Sequence, residues 1–128
     1  MNHSELIDHF YSAIRSGDVA TITQCIHADF TLNWQGSSHI PWAGTWKGVD
    51  GLLDFFAKLN EHVDVLDVSV EQSLDNKDIS IVILQGKWRM CADKALIEAS
   101  AANLFTFQDE RIAGYTVIND SEAFANAL

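Results

Sequence analysis

Three side chains in this sequence have types and settings suited to acid/base or hydrogen-bond chemistry: Asp120, His39 and Asn103. Asp120 closes the apolar run Val117-Ile118-Asn119 and precedes Ser121-Glu122-Ala123-Phe124. A carboxylate held against an apolar wall ionises with difficulty, so its pKa rises toward the range that general acid/base catalysis uses near neutral pH. An Asp directly before a helical run is equally an ordinary N-cap, and the two roles are compatible. His39 lies in the turn-like Gly36-Ser37-Ser38-His39. Its imidazole, with an ordinary pKa of about 6.5, could serve as donor or base at a pocket mouth, or simply face solvent. Asn103 stands in Ala102-Asn103-Leu104-Phe105. A buried amide there must find a partner, in the backbone or on a ligand carbonyl that it would polarise. Tyr11 and Tyr115 are further hydroxyl donors.

Beside His39 runs Ile40-Pro41-Trp42-Ala43-Gly44-Thr45-Trp46-Lys47-Gly48, which leads into the apolar pattern Val49, Leu52, Leu53, Phe55, Phe56. The only proline and two of the four tryptophans meet at this loop-to-helix junction. Trp34, Trp42, Trp46 and Trp88 bury large area wherever they pack, and each needs one partner for its N–H. They read as core and rim, or, for Trp42 and Trp46 on a framed loop, as the wall of a ligand pocket.

Composition narrows the classes. Eighteen Asp and Glu against eight Lys and Arg give a formal charge of −10, which repels nucleic-acid phosphates and anionic membranes. Cys25 and Cys91 lie far apart with no Cys/His spacing around them, so both are expected as reduced core thiols. His3, His9, His27 and His62 are expected on helices or helix ends without a metal-ligand motif, so neither metal nor cofactor is expected. The N-terminus lacks the basic-then-apolar pattern of a leader and no stretch is long enough to span a bilayer; the expectation is a cytoplasmic protein folded as one domain over residues 1–128.

Helical spacing of Leu6, Ile7, Phe10, Ala13 and Ile14 predicts a helix over 4–16, with Ser4 as N-cap and Gly17 as its stop. Asp18 caps a second, short helix with Val19, Ile22, Cys25 and Ile26 on its apolar face. Phe30, Leu32 and Trp34 alternate as a strand, and a third helix covers about 48–61. Four strands follow at 63–74, 79–90, 96–107 and 111–118, joined by turns too short for parallel crossovers. Within 79–90, Val82, Leu84, Trp88 and Met90 share one face, and Gln85, Lys87 and Arg89 the other. The outward set meets water or the acidic Asp67, Glu71 or Glu98 of a second copy. Small Ala95, Ala99, Ala101 and Ala102 suit a surface approached closely by another layer.

This order predicts an α+β fold, one curved antiparallel sheet packed on three helices. The chain resembles the NTF2-like superfamily, and within it SnoaL-like and ketosteroid-isomerase-like proteins. The resemblance rests on Phe10 to Asp18, on Ala28-Asp29-Phe30, on Pro41-Trp42-Ala43-Gly44 with Gly48, and on Asn103 to Phe107 with Glu110 and Ile112. It implies a cone whose mouth opens on an apolar cavity, a small lipophilic ligand, and a homodimer paired through the sheet. The tyrosine, aspartate base and protonated aspartate of ketosteroid isomerases fall by alignment on Phe10, Trp34 and Asn103, so that dienolate chemistry is not expected. In SnoaL-like cyclases an aspartate placed like Asp120 is the acid/base, whereas their strand histidine is replaced here by Asn103. The resemblance thus implies a pocket shaped by Phe10, Trp34, Trp42, Trp46 and Trp88 with Asp120, Asn103 and His39 as its polar groups. It leaves open cofactor-free chemistry on a carbonyl compound, binding of an apolar metabolite without chemistry, and a dimerisation or interaction domain filled by its own side chains.

Overall fold

A computed structural model describes residues 1–128. Helix α1 (His3–Ser16) and helix α2 (Val19–Cys25) form the expected hairpin. Gly17, at φ 70°, ends α1 in the left-handed conformation, and the Asp18 carboxylate accepts from the Thr21 backbone N–H at 3.1 Å to start α2. The cap of α1 is Asn2 rather than Ser4. Its side chain accepts from Glu5 N at 2.8 Å, and Glu5 accepts in return from Asn2 N at 3.4 Å, a reciprocal capping box.

Strand β1 (Ile26–Trp34) then leads to a short strand β2 (Gly44–Lys47) inside the aromatic loop, and Gly48 opens helix α3 (Gly48–His62). The sequence predicts loop where β2 forms. Four largely exposed residues carry no buried alternation, and only pairing with β1, Leu32 opposite Trp46, makes them a strand. Strands β3 (Val63–Asp75), β4 (Ile79–Met90), β5 (Leu96–Gln108) and β6 (Arg111–Ile118) follow as a meander, and a fourth helix, α4 (Ser121–Asn126), ends the fold. The order in space is β2-β1-β6-β5-β4-β3. All neighbours are antiparallel except β1 and β6, which run parallel because nearly the whole chain intervenes between them.

Strict alternation along β4 sets the two faces of the sheet. Ser80, Val82, Leu84, Gly86, Trp88 and Met90 are buried toward the helices, and Lys87 and Arg89 are exposed on the outer face. Lys87 pairs at 3.3 Å with Glu98 of the adjacent β5 in the same chain. The small residues divide by register: Ala99 and Ala101 stand opposite Gly86 and Leu84 and so face the helices, whereas Ala102 faces out. Cys25 is buried as expected, but Cys91 is only partly so, with its thiol 3.8 Å from Asp64. His27 lies in β1 rather than at a helix end and contacts Asp109 at 3.3 Å.

The helix-facing side holds the core. Leu6, Ile7, Phe10 and Ala13 of α1, and Leu52 and Phe55 of α3, pack on this face. No helix is long and apolar enough to cross a membrane.

Candidate functional site

Cross-strand register sets the site. One row across the helix-facing side runs Val82, Asn103, Val117, Trp34, in β4, β5, β6 and β1. The next runs Ser80, Phe105, Tyr115, Leu32. Asn103 and Tyr115 are therefore diagonal neighbours on one face. Helix α1 lies over them, and Tyr11, four residues after the buried Ile7, projects from its packed side.

The Asn103 amide joins two phenols. Its Nδ2 donates to Tyr11 Oη at 2.7 Å and to Tyr115 Oη at 3.3 Å. Tyr115 stacks on Phe105 with centroids 4.8 Å apart and meets Phe10 edge-on at 5.6 Å, so its ring has no freedom to leave. Burial pushes the Tyr11 phenol up to about 12 against a small lowering by Asn103, and the Asp8 charge pushes the same way. Burial likewise holds Tyr115 well above its ordinary value, helped by Tyr11 and opposed by Asn103. Both phenols thus stay protonated throughout the neutral range and offer O–H groups, not a base. Asn103 was expected to find backbone partners or a ligand; its partners are tyrosine hydroxyls. The hydroxyl comes from Tyr11, one position after the aligned Phe10, which itself is fully buried core.

A second assembly is aromatic. Trp34, Trp42 and Trp88, from β1, the loop before β2, and β4, converge on Phe124 of α4. The Phe124 ring meets them edge-on with centroids 5.8, 5.7 and 5.6 Å away. Trp34 and Trp42 also meet each other at 5.7 Å, and the His62 ring lies 5.8 Å from Trp42. Gly86 is required beneath Trp88, because a Cβ there would run into the indole. Trp46 stands apart, packed on Phe55 at 6.0 Å, and its Nε1 donates to the Trp42 carbonyl at 3.0 Å. Trp42 Nε1 is buried with no partner.

The remaining expected site residues lie outside both assemblies. Asp120 is exposed, and its carboxylate accepts from Ala123 N at 3.1 Å as the N-cap of α4. It borders a shallow depression of about 430 Å³ shared with the outward-facing Ile83, Ser100, Ala102 and Ile118. His39 is exposed in its loop, where its backbone N–H donates to Ser37 Oγ at 3.2 Å. No cluster of three or more His, Cys, Asp or Glu has the spacing to hold a metal ion.

Residues 7–115 match the family model of the SnoaL-like domain. The chain belongs to that family. The SnoaL-like domain here superposes on an NTF2-like protein from Burkholderia pseudomallei with a TM-score of 0.87 at 13% identity, covering 98% of this chain and 96% of that one. An NTF2-like protein from Burkholderia xenovorans gives a TM-score of 0.84 at 19% identity over 97% and 93% of the two chains. TerC, co-crystallised with polyporic acid, gives 0.78 at 18% identity over 95% and 94%. These likenesses establish the NTF2-like fold. No curated protein sequence matches the chain.

Proposed function

We propose that this SnoaL-like domain binds a small lipophilic molecule on its helix-facing side, with an oxygen of the ligand meeting the Tyr11–Asn103–Tyr115 cluster. The observation that carries this reading is the cluster itself. It is the one set of interior side chains hydrogen-bonded to one another, in an interior whose other buried polar side-chain atoms are the unpaired Ser80 Oγ and Trp42 Nε1, and it reaches toward solvent through the half-buried Tyr11. Neutral donors in an apolar setting recognise a carbonyl oxygen and stabilise negative charge on it. The buried residues include no carboxylate and no imidazole, so the interior is built to hold and polarise rather than to abstract a proton. The fold neighbour TerC, co-crystallised with polyporic acid, supports a ligand seat in this architecture.

A panel of steroid, terpenoid and anthraquinone ketones, screened by thermal shift and tryptophan fluorescence, tests the reading. Loss of one neutral hydrogen bond in Tyr11→Phe should weaken the best ketone by roughly 2- to 10-fold. Asp120→Asn should leave its affinity unchanged. Equal binding by wild type and Tyr11→Phe refutes the seat.

The outer sheet face supports the expected homodimer, because the half-buried Ile81, Ile83 and Leu104 and the 46% exposed Ile118 make it apolar. Light scattering should give twice the chain mass, reverting to one in Ile83→Glu; a monomeric wild type refutes the pairing.

A further inference from the structure

We infer that Phe124 is an internal stand-in for the aromatic part of the ligand, and that α4 swings away to admit a planar, neutral aromatic compound with one oxygen at the phenol cluster and a second, a carbonyl oxygen, that accepts from Trp42 Nε1. The inference rests on the interior ligand seat proposed above and adds its aromatic half and its gate.

Three observations carry it. The first is what Phe124 touches: its ring fills the space between Trp34, Trp42 and Trp88, 2% exposed, with every indole edge-on to it. Any flat ring of similar size would enjoy the same contacts. Val117, which pairs with both Trp34 and Asn103, places this box beside the phenol cluster, so one molecule can occupy both.

The second is how α4 is held. Phe124 is its only buried residue, and Ser121–Asn126 is less than two turns long. The hydrogen bonds of the segment outside the helix ladder are local: Ala123 N to the Asp120 carboxylate, Asp120 N to Asn119 Oδ1, Ser121 N to the Asn119 carbonyl, Ala127 N to the Phe124 carbonyl, Leu128 N to the Ala125 carbonyl. None ties α4 to the sheet or to another helix. Swinging the segment about Asn119 and Asp120 therefore sacrifices the contacts of Phe124 and of the smaller, partly buried Ala123, Ala125 and Ala127, and no hydrogen bond to the rest of the fold. A replacement ring restores those of Phe124.

The third is the Trp42 indole. It is fully buried and its N–H has no partner, while the corresponding group of Trp46 is bonded to a carbonyl. Buried donors are ordinarily satisfied, and this one is without an acceptor among the rings around it. A ligand that matches Phe124 in shape and adds an oxygen satisfies the group that Phe124 cannot. The formal charge of −10 disfavours anions, which makes the preferred compound neutral.

The test uses the full chain with 4-fluorophenylalanine at position 124, titrated with 2-acetylnaphthalene and with 2-ethylnaphthalene, which has the same outline and no acceptor. The expected result is a saturable move of the fluorine resonance to its solvent-exposed position. The ketone should bind roughly tenfold tighter than the hydrocarbon, a difference lost in Trp42→Phe. If that variant does not fold, the comparison of the two compounds on the unsubstituted chain still decides. Saturable ketone binding that weakens in Tyr11→Phe but leaves the fluorine resonance in place overturns the gate and keeps the seat. Binding only to Phe124→Ala makes Phe124 permanent core and likewise overturns the gate. No binding to either protein overturns the seat as well.

Discussion

The two tyrosines of this chain are both in the Asn103 cluster, so an alkaline titration of tyrosine absorbance reads that cluster and nothing else. The perturbation is pH. In the folded chain the Tyr11 phenol is raised from 10.0 to about 12, chiefly by burial. The protonated form is the one the fold favours, so the unfolded chain loses its proton first. Tyr11 therefore contributes full stability below about pH 10, and that contribution drains away as pH climbs toward about 12. At about pH 11 the unfolded phenol is mostly ionised and the folded one mostly not, a difference on the order of 1 kcal/mol. Tyr115, raised in the same direction, adds to the loss. The assay is absorbance near 295 nm against pH in buffer and in urea, with denaturant midpoints at pH 8 and pH 11. Folded protein should show almost no tyrosinate at pH 10, the urea-unfolded chain should titrate there, and Tyr11→Phe should flatten the fall in stability. Native protein that ionises both phenols near pH 10 while keeping its near-ultraviolet circular dichroism would show the cluster to be solvated and the reasoning wrong.

Phe124→Ala should destabilise by about 3–5 kcal/mol if the box cannot collapse, with a change in tryptophan emission, since three indoles lose a shared neighbour; a loss well under this range means the indoles close over the gap. Gly86→Ala puts a methyl into the Trp88 ring and should cost about 1–3 kcal/mol in urea denaturation, whereas a neutral outcome would require the indole to sit elsewhere. Asp120→Ala removes the cap of α4 and should cost about 1 kcal/mol, with amide exchange faster in 121–126 than in the sheet; uniform protection would argue against a separable α4.

Local signals in the sequence were strong where one face of an element is buried. The alternation of Val82, Leu84, Trp88 and Met90 with outward Lys87 and Arg89 was readable because burial on β4 is one-sided over its full length. The stop at Gly17 and the caps at Asp18 and Asp120 follow from single-residue chemistry within one turn. The site was less legible because its contacts are distant. Tyr11 and Asn103 are 92 positions apart, and no local rule joins them. One signal was present: Tyr11 follows Ile7 by four and so lies at the margin of the buried face of α1. Convergence of Trp34, Trp42 and Trp88 on Phe124 likewise depends on the parallel contact of β1 with β6 and on the return of α4, which are tertiary facts. The four tryptophans stand out in the sequence, but nothing local separates Trp46, which packs on α3, from the other three.

Strand β3 forms one border of the sheet over 13 residues, and it keeps Val65, Leu66, Val68, Val70 and Leu74 open to solvent. A long apolar border with free backbone groups is the ordinary starting point for strand-to-strand aggregation. Two irregularities break its register, between Val65 and Asp67 and between Val70 and Gln72, and Asp64, Asp67, Glu71 and Asp75 are distributed along it without a single cation. A second copy laid antiparallel against this border would bring carboxylate to carboxylate over a kinked backbone. The protein thus tolerates a greasy rim by charging it, and that protection rests on four side chains. Exchange those four acids for their amides and the rim becomes adhesive, so that the same strand that stays solitary turns into the seed of a precipitate.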